Sequence, residues 1–270
     1  MIESTSDTLA ISQEGGVVRL ALDRPAQGNA LDVELARALM YAAIACDEDE
    51  TVRCVVLTGT GKLFCAGGDI GTFAAAGEHE GALLKELTAY LHVAMAHLAR
   101  MPKPFVTAIN GPAAGAGLSL AALGDIVIAK RSAHFTLAYS AIGLSPDGGS
   151  TWLLPRLVGL RRAQELAIAN RRFSADEAAA IGLITRAVDD EELEAETDRV
   201  SRSLASAATA ALGRTRALLQ ASFSATFESQ METEARAIAE ASRSTEHREG
   251  VRAFLDKRKP DFTTAARSAS

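Results

Sequence analysis

Two glycine-rich turns each follow a predicted strand and precede a predicted helix, at residues 64–70 (FCAGGDI) and 109–120 (INGPAAGAGLSL). Small residues let a ligand approach the backbone closely, and a helix start presents amide hydrogens that have no intrahelical partner. Tight packing is the more ordinary explanation of one such turn taken alone, and neither turn is a phosphate loop, because no Gly-Lys-Ser/Thr follows. Two turns after successive strands predict amide donors that converge on one carbonyl oxygen, as an oxyanion hole.

A carboxylate stands further along the chain, at Asp147 in the sequence LSPDGGS. Aspartate in a Pro-Asp-Gly-Gly turn is ordinary turn chemistry, and its side chain can cap the helix that follows. The residues alone leave open whether this carboxylate is a helix cap or a reactive group. His92 and His97 lie five residues apart on a predicted helix, which disfavours a shared metal ion, so we expect no metal site.

The elements that must position these residues alternate between strands and helices. Short β-rich runs occur at Val17–Leu22 and at residues 53–58, 105–110 and 125–130, and a helical pattern capped by Asp32 follows the first of them. Strands and helices at this spacing predict βαβ units and a mainly parallel sheet. Beyond about residue 160 the pattern becomes helical and rich in Ala, Glu, Arg and Leu.

Composition excludes several classes of protein. The chain has 270 residues and a formal net charge of −6, which disfavours a nucleic-acid binder. It has neither an apolar stretch of the roughly 18–20 residues that span a membrane nor a recognisable leader. Its three cysteines show no Cys-x-x-Cys spacing, so we expect a reduced, cytoplasmic protein.

Five segments, in this order, resemble the enoyl-CoA hydratase/isomerase family (the crotonase superfamily): LDRPAQGNALD, LTGTGKLFCAGGDI, AINGPAAGAGLSLAALGDIVIA, IGLSPDGGSTWLLPRLVG and EGVRAFLDKRKPDF. The resemblance implies an α/β fold, the crotonase spiral of ββα units, with a helical C-terminal region that mediates homotrimers or hexamers. We expect a core over residues 1–200, the helical region over 201–260 and a disordered tail over 261–270. The implied substrate is an acyl-CoA thioester, whose coenzyme A is part of the substrate, with no separate cofactor.

The resemblance also implies which chemistry the site performs. It assigns the two amide donors to Ala66 and Ala116. The two glutamates that hydratases use fall on Ser119 and Tyr139, so two-carboxylate hydration is not expected. Isomerase branches, including Δ3,Δ2-enoyl-CoA isomerases and the ring-opening epoxyphenylacetyl-CoA isomerase of phenylacetyl-CoA catabolism, carry their single acid at Asp147. The segments SPDGGSTWLLPRLVG and REGVRAFLDKRKPDF most resemble this last branch. We therefore expect an isomerase whose carboxylate removes a proton and returns it elsewhere on the acyl chain.

Other activities remain open at this stage. The same aspartate position serves as a nucleophile in the 4-chlorobenzoyl-CoA dehalogenase branch, which needs an aromatic pocket that Phe64, Phe73, Tyr139 and Trp152 could line. A hydratase with atypical catalytic residues is a second alternative. The third is a relative that binds acyl-CoA or RNA and has lost its chemistry.

Coenzyme A is a polyanion, so an acidic protein must concentrate positive charge locally. Residues 247–260 carry five Lys or Arg side chains against two acids, which leaves a local net charge of +3. The resemblance implies that part of this segment reaches the nucleotide from a neighbouring subunit. The residues expected to contact the substrate are Arg24, Lys62, Gly68, Asp69, Tyr139, Phe254 and Lys257.

Overall fold

The computed structural model describes residues 2–267, which form the expected α/β fold. Its strands are β1 (Leu9–Glu14), β2 (Val17–Leu22), β3 (Cys54–Gly59), β4 (Phe105–Ile109), β5 (Ala113–Ala114), β6 (Ile126–Lys130), β7 (His134–Thr136), β8 (Phe173–Ser174) and β9 (Arg186–Val188). Its helices are α1 (Val33–Glu48), α2 (Ile70–Ala76), α3 (Glu80–Arg100), α4 (Ala116–Ala121), α5 (Ser150–Val158), α6 (Leu160–Ile168), α7 (Ala175–Ala180), α8 (Leu193–Ser206), α9 (Thr209–Ala221), α10 (Phe227–Ala241), α11 (Thr245–Leu255) and α12 (Phe262–Arg267). None of the helices in this range is long and apolar enough to cross a membrane.

The main sheet has six strands in the order β1-β2-β3-β4-β6-β9. All neighbouring pairs are parallel except the β1–β2 hairpin, so the predicted mainly parallel sheet is confirmed. The hairpin strand β1 was not predicted from the sequence. A second sheet of three short strands, in the order β5-β7-β8, lies beside the second glycine turn.

The two faces of the main sheet pack against different helices. Along β3 the side chains alternate, so that Val55 and Leu57 enter the large core that includes α1 and α3. Cys54 and Val56 face the other way, into a smaller core with Val200 of α8. Burial on both faces explains why this strand is a continuous apolar run.

Helix α1 begins where the sequence predicted. The Asp32 side chain accepts a hydrogen bond from the Leu35 amide at 2.8 Å and satisfies one of the amides that the first helical turn leaves without a partner. Its inner face buries small and aliphatic residues, including Leu35 and Leu39, against the sheet and α3. This close packing relies on alanine, with Ala36 and Ala43 fully buried.

The C-terminal helices α9 to α11 lie at the edge of the core. Arg216 of α9 is only 8% exposed, and its Nε donates to Asp125 Oδ1 at 2.8 Å. Its other nitrogens donate to the carbonyl oxygens of Leu98, Met101 and Lys103. This single side chain therefore ties the helical region to the loop before β4.

The end of the chain differs from its sequence prediction. Residues 261–270 were expected to be disordered, but Phe262–Arg267 form α12, which packs its first residue near Gly250 of α11. The last part of the predicted tail, residues 268–270, lies outside the described residues.

Removing the Arg216 side chain tests whether it holds the C-terminal helical region to the core. We expect Arg216→Leu to lower the free energy of unfolding by about 3 kcal/mol, because Asp125 and three carbonyl groups lose their donor. Arg214→Leu on the same helix is the control, since Arg214 makes a longer pair with the largely exposed Glu240 and should cost less than about 1 kcal/mol. Chemical denaturation measures the free energy of unfolding of both variants, and equal losses of stability would contradict the role assigned to Arg216.

Candidate active site

The structure brings the two glycine turns into direct backbone contact. The Ala114 amide donates to the Cys65 carbonyl at 2.9 Å, and these turns form an isolated parallel bridge between Cys65 and Ala113. A methyl group on Gly67 would lie 2.9 Å from the Ala114 carbonyl oxygen, so any side chain there would separate the turns. Gly67 also has a φ of +97°, which other residues rarely adopt.

One of the two predicted amide donors is wrong. The Ala66 amide donates to the Gly28 carbonyl at 2.9 Å, so it cannot serve a ligand without losing that bond. The neighbouring backbone is extended, with the Gly67 carbonyl and the Asp69 amide both bonded to Leu31. Because an extended chain alternates sides, the Gly68 amide faces away from Leu31, and it has no protein acceptor within residues 2–267.

The other predicted donor, Ala116, is the first residue of α4. Its amide is among those that a helix start leaves without an intrahelical acceptor, and no other acceptor for it occurs in the described part of the chain. Gly115 before it has a φ of +53° and receives no side-chain cap. The amides of Gly68 and Ala116 are therefore available donors, one on each of the joined turns.

Asp147 lies next to the start of α4 and is not a helix cap. Helix α5 begins at Ser150, with Gly149 at its N-cap position and no side-chain cap. The Asp147 carboxylate instead accepts a hydrogen bond from the Tyr139 hydroxyl, with 2.5 Å between the oxygens. Burial and the neighbouring Asp147 carboxylate raise the pKa of Tyr139, so the phenol keeps its proton and acts as the donor.

The two positions expected to hold hydratase glutamates both adjoin Asp147. Tyr139 contacts the Asp147 carboxylate, and the hydroxyl of the buried Ser119 donates to the Asp147 backbone carbonyl at 3.2 Å. Neither residue is a carboxylate. The site thus has the carboxylate of Asp147 and has no carboxylate at the two positions where a hydratase is expected to carry its glutamates.

The turn that carries Asp147 is held tightly between α3 and α4. Gly148 is buried with a φ of +58°, and a methyl group there would lie 3.0 Å from Ser119 Cβ and 3.3 Å from Met95 Sδ. Its amide donates to His92 Nε2 at 3.3 Å. The sequence offered no signal for this contact, because His92 and Gly148 are far apart in the chain.

The residues predicted to contact coenzyme A fall into different groups. The Arg24 guanidinium pairs with Asp32 and Asp69 at 3.0 Å each, and its contact with the substrate stays a prediction. Burial opposes the ionised form of Asp69, but the Thr72 amide and Arg24 outweigh it and lower its pKa. Asp69 also caps α2 through Thr72, which explains its place after the glycine turn.

Three further predicted contacts are spread over the surface. The exposed Lys62 immediately precedes the first turn. Phe254 is 83% exposed and lines a separate cavity of about 410 Å³ between α9, α11 and α12, and Lys257 follows it. The residues that line this cavity include neither Asp147 nor any residue of the two glycine turns. Within residues 2–267, no group of three or more His, Cys, Asp or Glu side chains is placed to hold a metal ion.

Comparison with known proteins gives the family. The model of the enoyl-CoA hydratase/isomerase family matches residues 12–265. The chain belongs to this family. A solved structure named an enoyl-CoA hydratase, from Polaromonas sp. JS666, matches with a TM-score of 0.89 and 33% identity over 93% of this chain and 98% of that one, which confirms the crotonase fold.

Relatives within the enoyl-CoA hydratase/isomerase family carry names for different reactions. The 1,2-epoxyphenylacetyl-CoA isomerase of Escherichia coli (strain K12) is 40% identical over 93% of this chain and 96% of its own length. The 4-chlorobenzoyl coenzyme A dehalogenase-2 of Arthrobacter sp is 33% identical over 87% of this chain and 85% of its own. Family membership therefore establishes processing of acyl-CoA thioesters and leaves the reaction to the site residues.

Two adjacent glycines allow a test of how this family member holds its carboxylate. Gly148 and Gly149 both have positive φ, at +58° and +70°, but only Gly148 is packed, since a methyl group on Gly149 meets nothing within 4 Å. We expect Gly149→Ala to cost about 1–2 kcal/mol of stability from backbone strain alone. Gly148→Ala should cost at least about 1 kcal/mol more, because of the contact with Ser119. Equal unfolding free energies would contradict the tight packing of this turn.

Proposed function

We propose that the protein is an acyl-CoA isomerase in which Asp147 moves a proton along the acyl chain of an enolised thioester. The observation that carries this proposal is the single carboxylate, held by the Tyr139 hydroxyl at 2.5 Å beside the joined glycine turns. Isomerisation removes one proton and returns one, so a single carboxyl group suffices. Hydration adds water as well, and commonly divides that work between two groups.

The amides of Gly68 and Ala116 are the proposed oxyanion donors. Removal of a proton next to a thioester places negative charge on its carbonyl oxygen, and two amides without protein acceptors can stabilise it there. Gly68 replaces Ala66 in this role, because the Ala66 amide is bonded to Gly28. Donors of this kind need no reactive side chain, which fits the small residues of both turns.

Tyr139 gives the two carboxylate oxygens of Asp147 different roles. Its hydroxyl donates to Oδ1, which leaves Oδ2 as the atom that takes the substrate proton. Since burial and Asp147 raise its pKa, Tyr139 remains a neutral donor throughout the physiological range. It therefore orients the base without competing for the proton.

The site residues carry the preference for an isomerase, because relatives with isomerase and hydratase names are 40% and 41% identical to this chain. The name 1,2-epoxyphenylacetyl-CoA isomerase supports an aromatic or ring-derived acyl group as the substrate. We further propose a cytoplasmic homotrimer or hexamer assembled through the C-terminal helices. Helix α10 buries none of its residues within one chain and exposes Phe227 and Ile238, each 73% accessible. A neighbouring copy would then supply Phe254 and Lys257 to the nucleotide.

The named dehalogenase relative makes a nucleophilic Asp147 the second candidate. The aromatic side chains do not favour it. Phe64 and Phe73 are buried in the core, and Trp152 packs edge-on against Phe223 with 5.6 Å between ring centroids. Among the described residues none of these three rings stacks with Tyr139. Release of chloride from 4-chlorobenzoyl-CoA would reverse this preference.

A panel of substrates tests the reaction class. The purified protein is incubated separately with crotonyl-CoA, a 3-enoyl-CoA and 1,2-epoxyphenylacetyl-CoA, and the products are followed by absorbance and mass spectrometry. We expect double-bond migration or ring expansion, with no change in elemental composition. Rapid hydration of crotonyl-CoA would contradict the isomerase proposal, and tight binding with no conversion would indicate a non-catalytic relative.

Asp147→Asn tests the proposed base. We expect kcat to fall at least about a hundredfold while KM changes less than about threefold, because the amide cannot accept the proton but preserves the shape of the side chain. Asp176→Asn on the surface of α7 is the control and should retain full activity. Substantial isomerisation by the Asp147 variant would contradict the assignment.

Lys62→Ala tests the proposed phosphate contact at the exposed edge of the first turn. We expect KM for a CoA ester to rise about fivefold with kcat unchanged, as for the loss of about 1 kcal/mol of uniform binding. The same acyl group on N-acetylcysteamine, which lacks the phosphates, is the control and should show no difference between variant and wild type. A KM increase with both esters would contradict a phosphate contact.

A further inference from the structure

We propose that His92 is a positioning residue, which sets the direction of the Asp147 side chain by accepting a hydrogen bond from the peptide group that follows it. His92 lies on α3, one turn before the Met95 that packs near Gly148, and its Nε2 is 3.3 Å from the Gly148 nitrogen. The proposal rests on the proposed function in that Asp147 is taken as the base.

The contact concerns one peptide group, the one between Asp147 and Gly148. Its carbonyl oxygen accepts from the hydroxyls of Ser119 at 3.2 Å and Ser150 at 2.9 Å, and its N–H donates to His92 at 3.3 Å. Side chains from α4, α5 and α3 therefore satisfy both ends of the same peptide plane. The Asp147 Cα belongs to that plane, so its orientation governs where the carboxylate points.

One backbone hydrogen bond helps to hold the carbonyl end of this peptide, because the Ser150 amide donates to the Asp147 oxygen at 3.1 Å and closes the turn over residues 147–150. No backbone group of the described residues accepts from the N–H end. Gly148 has a φ of +58°, and glycine adopts either sign of φ almost equally well, so its own conformation does not fix the direction of the N–H. That direction must come from the side chain that accepts from it.

The side chains around the peptide have the correct hydrogen-bonding polarity to fix this direction. The two serine hydroxyls donate to the carbonyl oxygen, and the His92 nitrogen accepts from the N–H. Because a backbone N–H can only donate, Nε2 carries no proton in this arrangement and the ring proton lies on Nδ1. A rotated peptide would direct its carbonyl oxygen at the His92 lone pair, which is repulsive.

His92 itself is exposed, whereas Gly148 is buried. Loss of the His92 side chain therefore leaves a buried N–H without an acceptor while removing little core packing. The expected result is a peptide that rotates or fluctuates, with the carboxylate displaced from its place beside the turns. Binding of the thioester, which depends on other groups, should be preserved.

Three variants separate an acceptor role from other roles. His92→Leu keeps bulk without an acceptor, and His92→Gln supplies an amide oxygen that can accept but cannot carry a proton. His97→Leu is the matched control on the same helix, since His97 pairs with Asp47 instead of the catalytic turn. Melting temperatures establish that each variant is folded, and His92→Ala replaces the leucine variant if that one does not fold.

The variants are assayed with a 3-enoyl-CoA, and crystal structures of the leucine and glutamine variants are determined. We expect His92→Leu to lose about tenfold or more in kcat with KM nearly unchanged, while His92→Gln and His97→Leu keep most of the activity. The Asp147–Gly148 peptide should be rotated or disordered in the leucine variant alone. Equal inactivity of the leucine and glutamine variants would overturn the proposal and make His92 a proton carrier.

The positioning role of His92 would also be overturned by an unchanged Asp147–Gly148 peptide or by full activity in His92→Leu.

The proposed isomerase function and the positioning role of His92 fail in different ways. If the wild-type protein isomerises none of the substrates, the proposed function is wrong, but the crystal structures still decide whether His92 sets the peptide orientation.

Discussion

The backbone contact between the two glycine turns is the constraint on which the site depends. A methyl group on Gly117 would lie 2.4 Å from the Cys65 carbonyl oxygen, and one on Gly67 would lie 2.9 Å from that of Ala114. No side chain fits between the turns, so main-chain atoms form the floor of the site. Strands β3 and β4 are parallel neighbours in the sheet, which delivers both turns to the same edge.

The remaining groups are arranged around this floor according to what each can donate or accept. The amides of Gly68 and Ala116 are the proposed oxyanion donors, and the carboxylate stands on a separate turn held by α3, α4 and α5. The Tyr139 hydroxyl bonds to the carboxylate, and Ser119, Ser150 and His92 bond to the peptide group between Asp147 and Gly148. A substitution of any of these four residues can change the reaction by moving the carboxylate.

Local patterns in the sequence predicted much of the fold, and long-range contacts account for what was missed. Strand Val17–Leu22 and the Asp32 cap follow from side-chain alternation and capping chemistry, which are properties of neighbouring residues. The choice of amide donor was wrong because Ala66 bonds to Gly28, from a distant loop. The ion pairs of Arg24 with Asp32 and Asp69 were not predicted either, because Asp69 is distant from it in the sequence.

Transfer of the substrate proton by one carboxylate is the central claim, and hydrogen exchange measures it most directly. The wild-type protein and Asp147→Asn are incubated with a 3-enoyl-CoA in D₂O, and the recovered acyl-CoA is analysed by mass spectrometry. The account predicts that the wild type gives an isomer with less than one deuterium per turnover, because the carboxyl group that takes the substrate proton also returns it, and that the variant gives no isomer. Isomer formation at the wild-type rate by the variant, or a wild-type product that has gained the elements of water, would contradict it.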